Sequence, residues 1–158
     1  MAGGSKKIRG GGAFVLLRTS NSGCADFECQ TLKDGSTLFE SLGLKLADLA
    51  KKECCNCGYG IFGAVVGCTD TKEAAKIRAA YENLFFLIPG YGAQGGGAND
   101  ARLLLNKDGN GGVVNASRSI LKAWQSGPSS EAAPITSIKA AAEAAAEAAI
   151  KMRDDIRG

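Results

Sequence analysis

The stretch from Leu84 to Ala98, LFFLIPGYGAQGGGA, constrains this chain more than any other. Its apolar opening is too short to cross a bilayer and is rich in Phe and Ile, which predicts a buried strand closed by a turn of glycines. Asn99 to Asn106 then has helical character. A strand that empties through glycines into a helix leaves backbone N–H groups unpaired, and the helix dipole favours an anion there. Gln94 adds a neutral side chain with two donors, without the desolvation cost of a buried charge. Three readings of the stretch compete. Gly90, Gly92 and Gly95 fit the dinucleotide pattern G-x-G-x-x-G, yet the next strand ends in Asn115 rather than an acid that could hold a ribose. A glycine-rich turn without a ligand is the second reading. A barrel phosphate loop is the third, and the rest of the chain favours it.

Ala13 to Leu17 reads as a short buried strand that gives way to polar Arg18, Thr19, Ser20 and Asn21. Ser22 to Ser36 reads as a loop. Ser36 or Thr37 then caps a helix running to about Lys52, with Leu38, Leu42, Leu46 and Leu49 along one face and Gly43 inside it. Gly60 to Gly67 is the second predicted strand, followed by Cys68, Thr69 and Asp70 and by a helix from Thr71 to Ala80 with its charges outward. After the third strand and its glycine loop, Asn99 or Asp100 caps a helix carrying Leu103 to Leu105. The turn KDGNGG leads to a fourth strand, Val113 and Val114, and Arg118 stands at the start of a helix whose buried face is Ile120, Leu121 and Trp124. Strand and helix alternate with near-continuous apolar strands, the signature of a parallel sheet covered by helices. The strand exits RTSN, GCTD, GYGAQGG and NASRS converge at one end, where α/β folds place ligands.

Residues 1–12 read as a flexible basic, glycine-rich terminus, 13–125 as the α/β unit, 126–136 as a linker, and 137–158 as an alanine-rich packing helix. In that helix Glu143, Glu147 and Lys151 fall at i, i+4 spacing, while Asp154 and Asp155 oppose the dipole at its end. A chain of 158 residues that is 45% hydrophobic can bury one core. A net charge of +3 with scattered basic residues, three Tyr and one Trp argues against nucleic-acid binding. No apolar run spans a membrane or forms a signal peptide, so the expected location is cytoplasmic. Cys24, Cys29, Cys54, Cys55, Cys57 and Cys68 lack zinc-type spacing in a chain with no histidine. They read as reduced thiols, with Cys68 a small apolar filler at a strand end and Cys54 to Cys57 open to oxidation, and no metal is expected.

The segments FVLLRTSN (14–21), GAVVGCT (63–69), FFLIPGYGAQGG (85–96), DGNGGVVNASRSI (108–120) and EAAIKMRDDI (147–156) together resemble orotidine 5'-phosphate decarboxylase, in its longer bacterial-type branch. The resemblance implies the parallel (β/α)4 second half of a TIM-type (β/α)8 barrel plus a C-terminal helix. It makes Gln94 and Arg118 ligands of the substrate phosphate, with Gly95, Gly96 and the backbone near Ser117 adding donors. Ser20 and Thr19 would face the pyrimidine. The family's Asp-x-Lys-x-x-Asp signature is not found: Asp70-Thr71-Lys72 matches its first positions, but Ala75 stands where the second acid should be, and a helix cap explains Asp70.

The resemblance thus implies the phosphate-binding half of an enzyme that converts orotidine 5'-phosphate to uridine 5'-phosphate and CO2 without cofactor or metal. No catalytic residue is identified in this chain. A non-catalytic phosphate- or nucleotide-binding half barrel is the alternative, and a structural half without a ligand is a third. Four parallel strands leave two edges open, so pairing with a second copy or with a complementary half barrel is expected.

Overall fold

The computed structural model describes residues 11–52, 54–126 and 138–158. Strands β1 (Ala13–Arg18), β2 (Phe62–Val66), β3 (Phe85–Ile88) and β4 (Gly112–Val114) form one parallel sheet in the order β1-β2-β3-β4. The helices are α1 (Cys24–Phe27), α2 (Leu38–Lys52), α3 (Thr71–Ala80), α4 (Ala98–Arg102), α5 (Ser117–Leu121), a 3-10 turn (Ala123–Ser126) and α6 (Ile138–Arg157). Sequential parallel neighbours joined through helices are the (β/α)4 half of a TIM-type barrel, and the C-terminal helix is present.

Alternation along the strands divides the sheet into two unlike faces. Leu17, Ala64, Val66, Phe86 and Ile88 are buried with Phe39 and Leu46 of α2, Ile77 of α3 and Leu104. Among the described residues the other face stays open. Leu16, Val65, Leu87 and Val113 pair in register as one row across all the strands. In the neighbouring row the Phe14 ring crosses Gly63, where a Cβ would lie 2.6 Å from it, and meets Phe85 at 6.3 Å between centroids. Phe14, Leu16 and Val113 are 48%, 61% and 46% exposed. At the amino ends of the strands, Phe14, Tyr59, Gly63 and Phe85 bound a hollow of about 790 Å³.

Thr37 caps α2 as expected, and Glu40 reaches back to it: the Thr37 N–H and hydroxyl both donate to Glu40 Oε2 at 2.7 Å. This is a capping box, which the sequence T-L-F-E carries. The buried stripe, however, is Phe39, Gly43, Leu46, Ala47 and Ala50, while Leu38 and Leu49 are each 41% exposed. The helix is rotated from the predicted leucine face because the Tyr81 ring occupies the surface over Gly43 and its hydroxyl donates to Glu40 O at 3.1 Å. Asp70 caps α3, accepting from Glu73 N at 3.3 Å.

Arg78 departs from the prediction that the charges of α3 face outward. It is 6% exposed, lies 4.0 Å over the Phe86 ring, and donates to the carbonyls of Leu104, Gly111, Tyr81 and Leu84. A planar guanidinium with many donors can serve several carbonyls at once, here alongside the backbone N–H groups of Leu84 and Phe86 on Tyr81 O and Gly111 O. The α4 cap is Gly97 rather than Asn99 or Asp100; Asp100 instead accepts from Gly97 N at 2.7 Å, and Leu103 to Leu105 follow the helix. The loop after β1 contains the one-turn α1. Among the described residues Leu121, at the end of α5, and Trp124, in the 3-10 turn, are 68% and 38% exposed rather than buried.

Cys55 and Cys57 are joined by a disulfide, while Cys24, Cys29, Cys54 and Cys68 are free. The pair shares an exposed turn within the stretch read as open to oxidation, so the expectation of reduced thiols does not extend to it. Cys68 is fully buried just after β2, as predicted. Most of the expected linker lies outside the described residues, and among those described no helix is long and apolar enough to cross a membrane.

Candidate functional site at the carboxyl rim of the sheet

Parallel strands deliver their exits to one rim, and close backbone approaches knit those exits together. A Cβ at Gly67, after β2, would lie 1.9 Å from Ser20 Oγ, and one at Gly90, after β3, would lie 3.3 Å from it. Only glycine allows the Ser20 hydroxyl into that space. The oxygen is buried and has no hydrogen-bond partner among the described residues. Beneath the glycine loop sits Cys68, whose Sγ would be 2.6 Å from a Cβ at Gly96, and burial pushes its thiol pKa up.

The loop after β3 is shaped by Gly90, Gly92 and Gly95, at φ of 112°, 73° and 94°, a region that side chains with a Cβ avoid. It is closed internally by Gly92 N to Gly96 O at 2.8 Å, Gly95 N to Gly92 O at 2.8 Å and Gly96 N to Gly90 O at 3.0 Å. The Gly95 and Gly96 amides, predicted to point at a ligand, are thus taken up by the turn's own closure. The tip of the loop is left with donors: the amides of Ala93 and Gln94 have no acceptor among the described residues, and the Gln94 side chain is exposed.

On the far side, a Cβ at Gly92 would lie 3.1 Å from Ser119 Oγ, so the loop rests on the first turn of α5. Ser117 and Arg118 belong to that same turn and are exposed, and Ala116 provides no side-chain cap. Among the described residues no ion pair or side-chain hydrogen bond engages Arg118. The rim therefore gathers Ser20, the loop that carries Gln94, Gly95 and Gly96, and the turn that carries Ser117 and Arg118.

Thr19 is held elsewhere. Its N–H and hydroxyl both donate to Glu28 at 2.8 Å, so a ligand would have to displace a carboxylate to use them. Arg18, which sequence reading passed over, organises this corner: it donates to Cys24 Sγ at 2.7 Å and lies 3.4 Å from Asp70 and 4.0 Å from Glu28. No spacing signal marks that cluster, because its members come from three different elements. Among the described residues there is no cluster of three or more His, Cys, Asp or Glu able to hold a metal.

The fold and this rim define the class: half of a (β/α)8 barrel, with its strand exits gathered at one end. No protein-family model matches the chain. Proteins that share its sequence include the orotidine 5'-phosphate decarboxylases of several Clostridium species, and the chain spans about half the length of these relatives. It is 47% identical over 150 residues to the orotidine 5'-phosphate decarboxylase of Clostridium tetani, an alignment covering 95% of this chain and 49% of that protein. Among solved structures, Leishmania donovani UMP synthase superposes with a TM-score of 0.63 and 31% identity over 92% of this chain and 28% of that one. Leishmania donovani OMP decarboxylase gives 0.58 and 25% over 93% and 48%.

Proposed function

We propose that this chain is the substrate-phosphate-binding half, corresponding to the C-terminal half, of an orotidine 5'-phosphate decarboxylase. The observation that carries the reading is the contact between the glycine loop and the first turn of α5. It brings to the same rim the elements that carry a guanidinium, a carboxamide and a buried serine hydroxyl, none of them with a side-chain partner among the described residues. Arg118 grips two phosphate oxygens as a fork, and Gln94 with the loop-tip amides adds neutral donors. Ser20 faces the pyrimidine, and Thr19, committed to Glu28, holds that strand exit in shape. Phosphate binding far from the reacting carbon supplies energy that is used at the pyrimidine.

The reacting groups themselves come from a complementary half, because this sequence carries no Asp-x-Lys-x-x-Asp. The open sheet face, with its row Leu16, Val65, Leu87 and Val113, is the surface such a half would cover. The missing signature is also what favours the second reading, a phosphate- or nucleotide-binding module without catalysis.

Calorimetric titration with uridine 5'-phosphate tests the site: binding is expected, and Arg118→Ala is expected to abolish it. No heat and no shift in melting temperature would leave only a structural half. Decarboxylation assayed with and without a polypeptide supplying the first half of a relative then separates enzyme from module. Activity that appears only on mixing supports the enzyme.

A further inference from the structure

The last turn of α6 grips the glycine loop from both of its ends. Tyr91, between Gly90 and Gly92, donates its phenol to Asp155 Oδ2 at 2.7 Å. That bond, more than burial, holds the phenol protonated up to about pH 12. On the other flank, Arg102 at the end of α4 donates to Ile156 O at 2.7 Å and to Asp155 O, while its remaining amino group reaches Asn99 Oδ1 at 2.6 Å. The segment just before the loop tip and the helix just after it are thus tied to two consecutive residues of α6. Residues 90–97 span a fixed gap. Gly90 and Gly92 give the backbone freedom that the loop's three internal bonds only partly remove.

We propose that Tyr91 and Asp155 are positioning residues for the rim: the end of α6 holds the glycine loop in the shape that presents the Ala93 and Gln94 amides and the Gln94 side chain to an anion. The inference rests on the reading of that rim as a phosphate site. Neither residue need touch the ligand. Their contribution is preorganisation, which lowers the ordering cost that binding would otherwise meet.

The test uses the full chain, uridine 5'-phosphate as the probe, and the variants Tyr91→Phe, Asp155→Ala and their combination. Each single change is expected to weaken binding about five- to tenfold and the double change no further, while the melting temperature falls only by what one surface hydrogen bond contributes. Amide exchange at Gly92, Gly95 and Gly96 is expected to quicken in each variant. Unchanged affinity in variants of a binding-competent chain would overturn the positioning role and leave the phosphate site standing. If the unaltered chain binds no uridine 5'-phosphate, the phosphate reading fails and the positioning role fails with it. Exchange rates in Tyr91→Phe would then still show whether the tie orders the loop.

Discussion

A methyl group at Gly43 would sit 2.4 Å from Tyr81 Cζ. Helix propensity alone favours alanine there by about 1 kcal/mol, but the ring cannot retreat without breaking its bond to Glu40 O. Gly43→Ala is therefore expected to destabilise the chain by about 1–3 kcal/mol in urea unfolding, the overpacking cost outweighing the propensity gain. Arg78 makes the opposite case, a charge that the interior requires. Arg78→Met keeps most of the stem but takes a donor from four carbonyls, of which Tyr81 O and Gly111 O keep the backbone N–H of Leu84 and Phe86, so a loss of about 2–3 kcal/mol is expected by the same measurement. Tyr91 offers a check by pH. Its phenol is raised from 10.0 to about 12, so its bond to Asp155 stabilises the native chain fully below pH 10.0 and is lost as pH rises through about 12. In an absorbance titration of tyrosinate, Tyr91→Phe should delete a late-titrating phenol. Tyr81, raised chiefly by burial, should remain.

At the scale of elements, helix ends carry much of the specification. The Thr37 N–H and hydroxyl hold the Glu40 carboxyl below its ordinary range, starting from 4.5. The capping box is therefore at full strength above that value and fades as pH falls through the lowered one. Glu40→Ala is expected to lower the melting temperature at pH 7, with the gap closing in acid. The end of α6 is arranged differently. Asp154 and Asp155 read from sequence as unfavourable beside the negative end of the helix dipole. Arg102 donates to the final carbonyls and Asp155 accepts from Tyr91, so an apparent mismatch is resolved by groups more than fifty residues away in sequence. The predicted leucine face of α2 held at Leu42 and Leu46 and failed at Leu38 and Leu49 for a related reason. Periodicity locates an apolar stripe only to within the neighbouring side chains, and the stripe containing Phe39 and Gly43 is the one that admits the Tyr81 ring.

For the whole molecule the open sheet face dominates. Phe14, Leu16 and Val113 stand in rows with Phe85, Val65 and Leu87, apolar and without a second layer among the described residues. Contiguous apolar surface of this kind marks an interface, and the edges at β1 and β4 offer unpaired backbone groups beside it. We expect the chain to associate with a second copy or a complementary half barrel at micromolar concentration, and Leu16→Lys to weaken that association. Size exclusion with light scattering reads both, and a well-ordered monomer of the unaltered chain would overturn the expectation.

The alternation of strand and helix and the position of the glycine loop were legible in the sequence, because each depends on apolar periodicity and on turn residues that act within a few positions of one another, while the half-barrel strand order was implied only by the family resemblance. So were the caps at Thr37 and Asp70 and the convergence at one rim of the strand exits that carry Ser20, Gln94 and Arg118, which parallel topology imposes. Only the tertiary structure decided where hydrogen bonds crossed between elements. Such bonds turned the Gly95 and Gly96 amides inward, engaged Thr19 with Glu28, buried Arg78 among carbonyls, and fastened Tyr91 to Asp155. A donor's partner is set by distance in space, and residues brought together from distant strands and helices leave no spacing along the chain by which to find them.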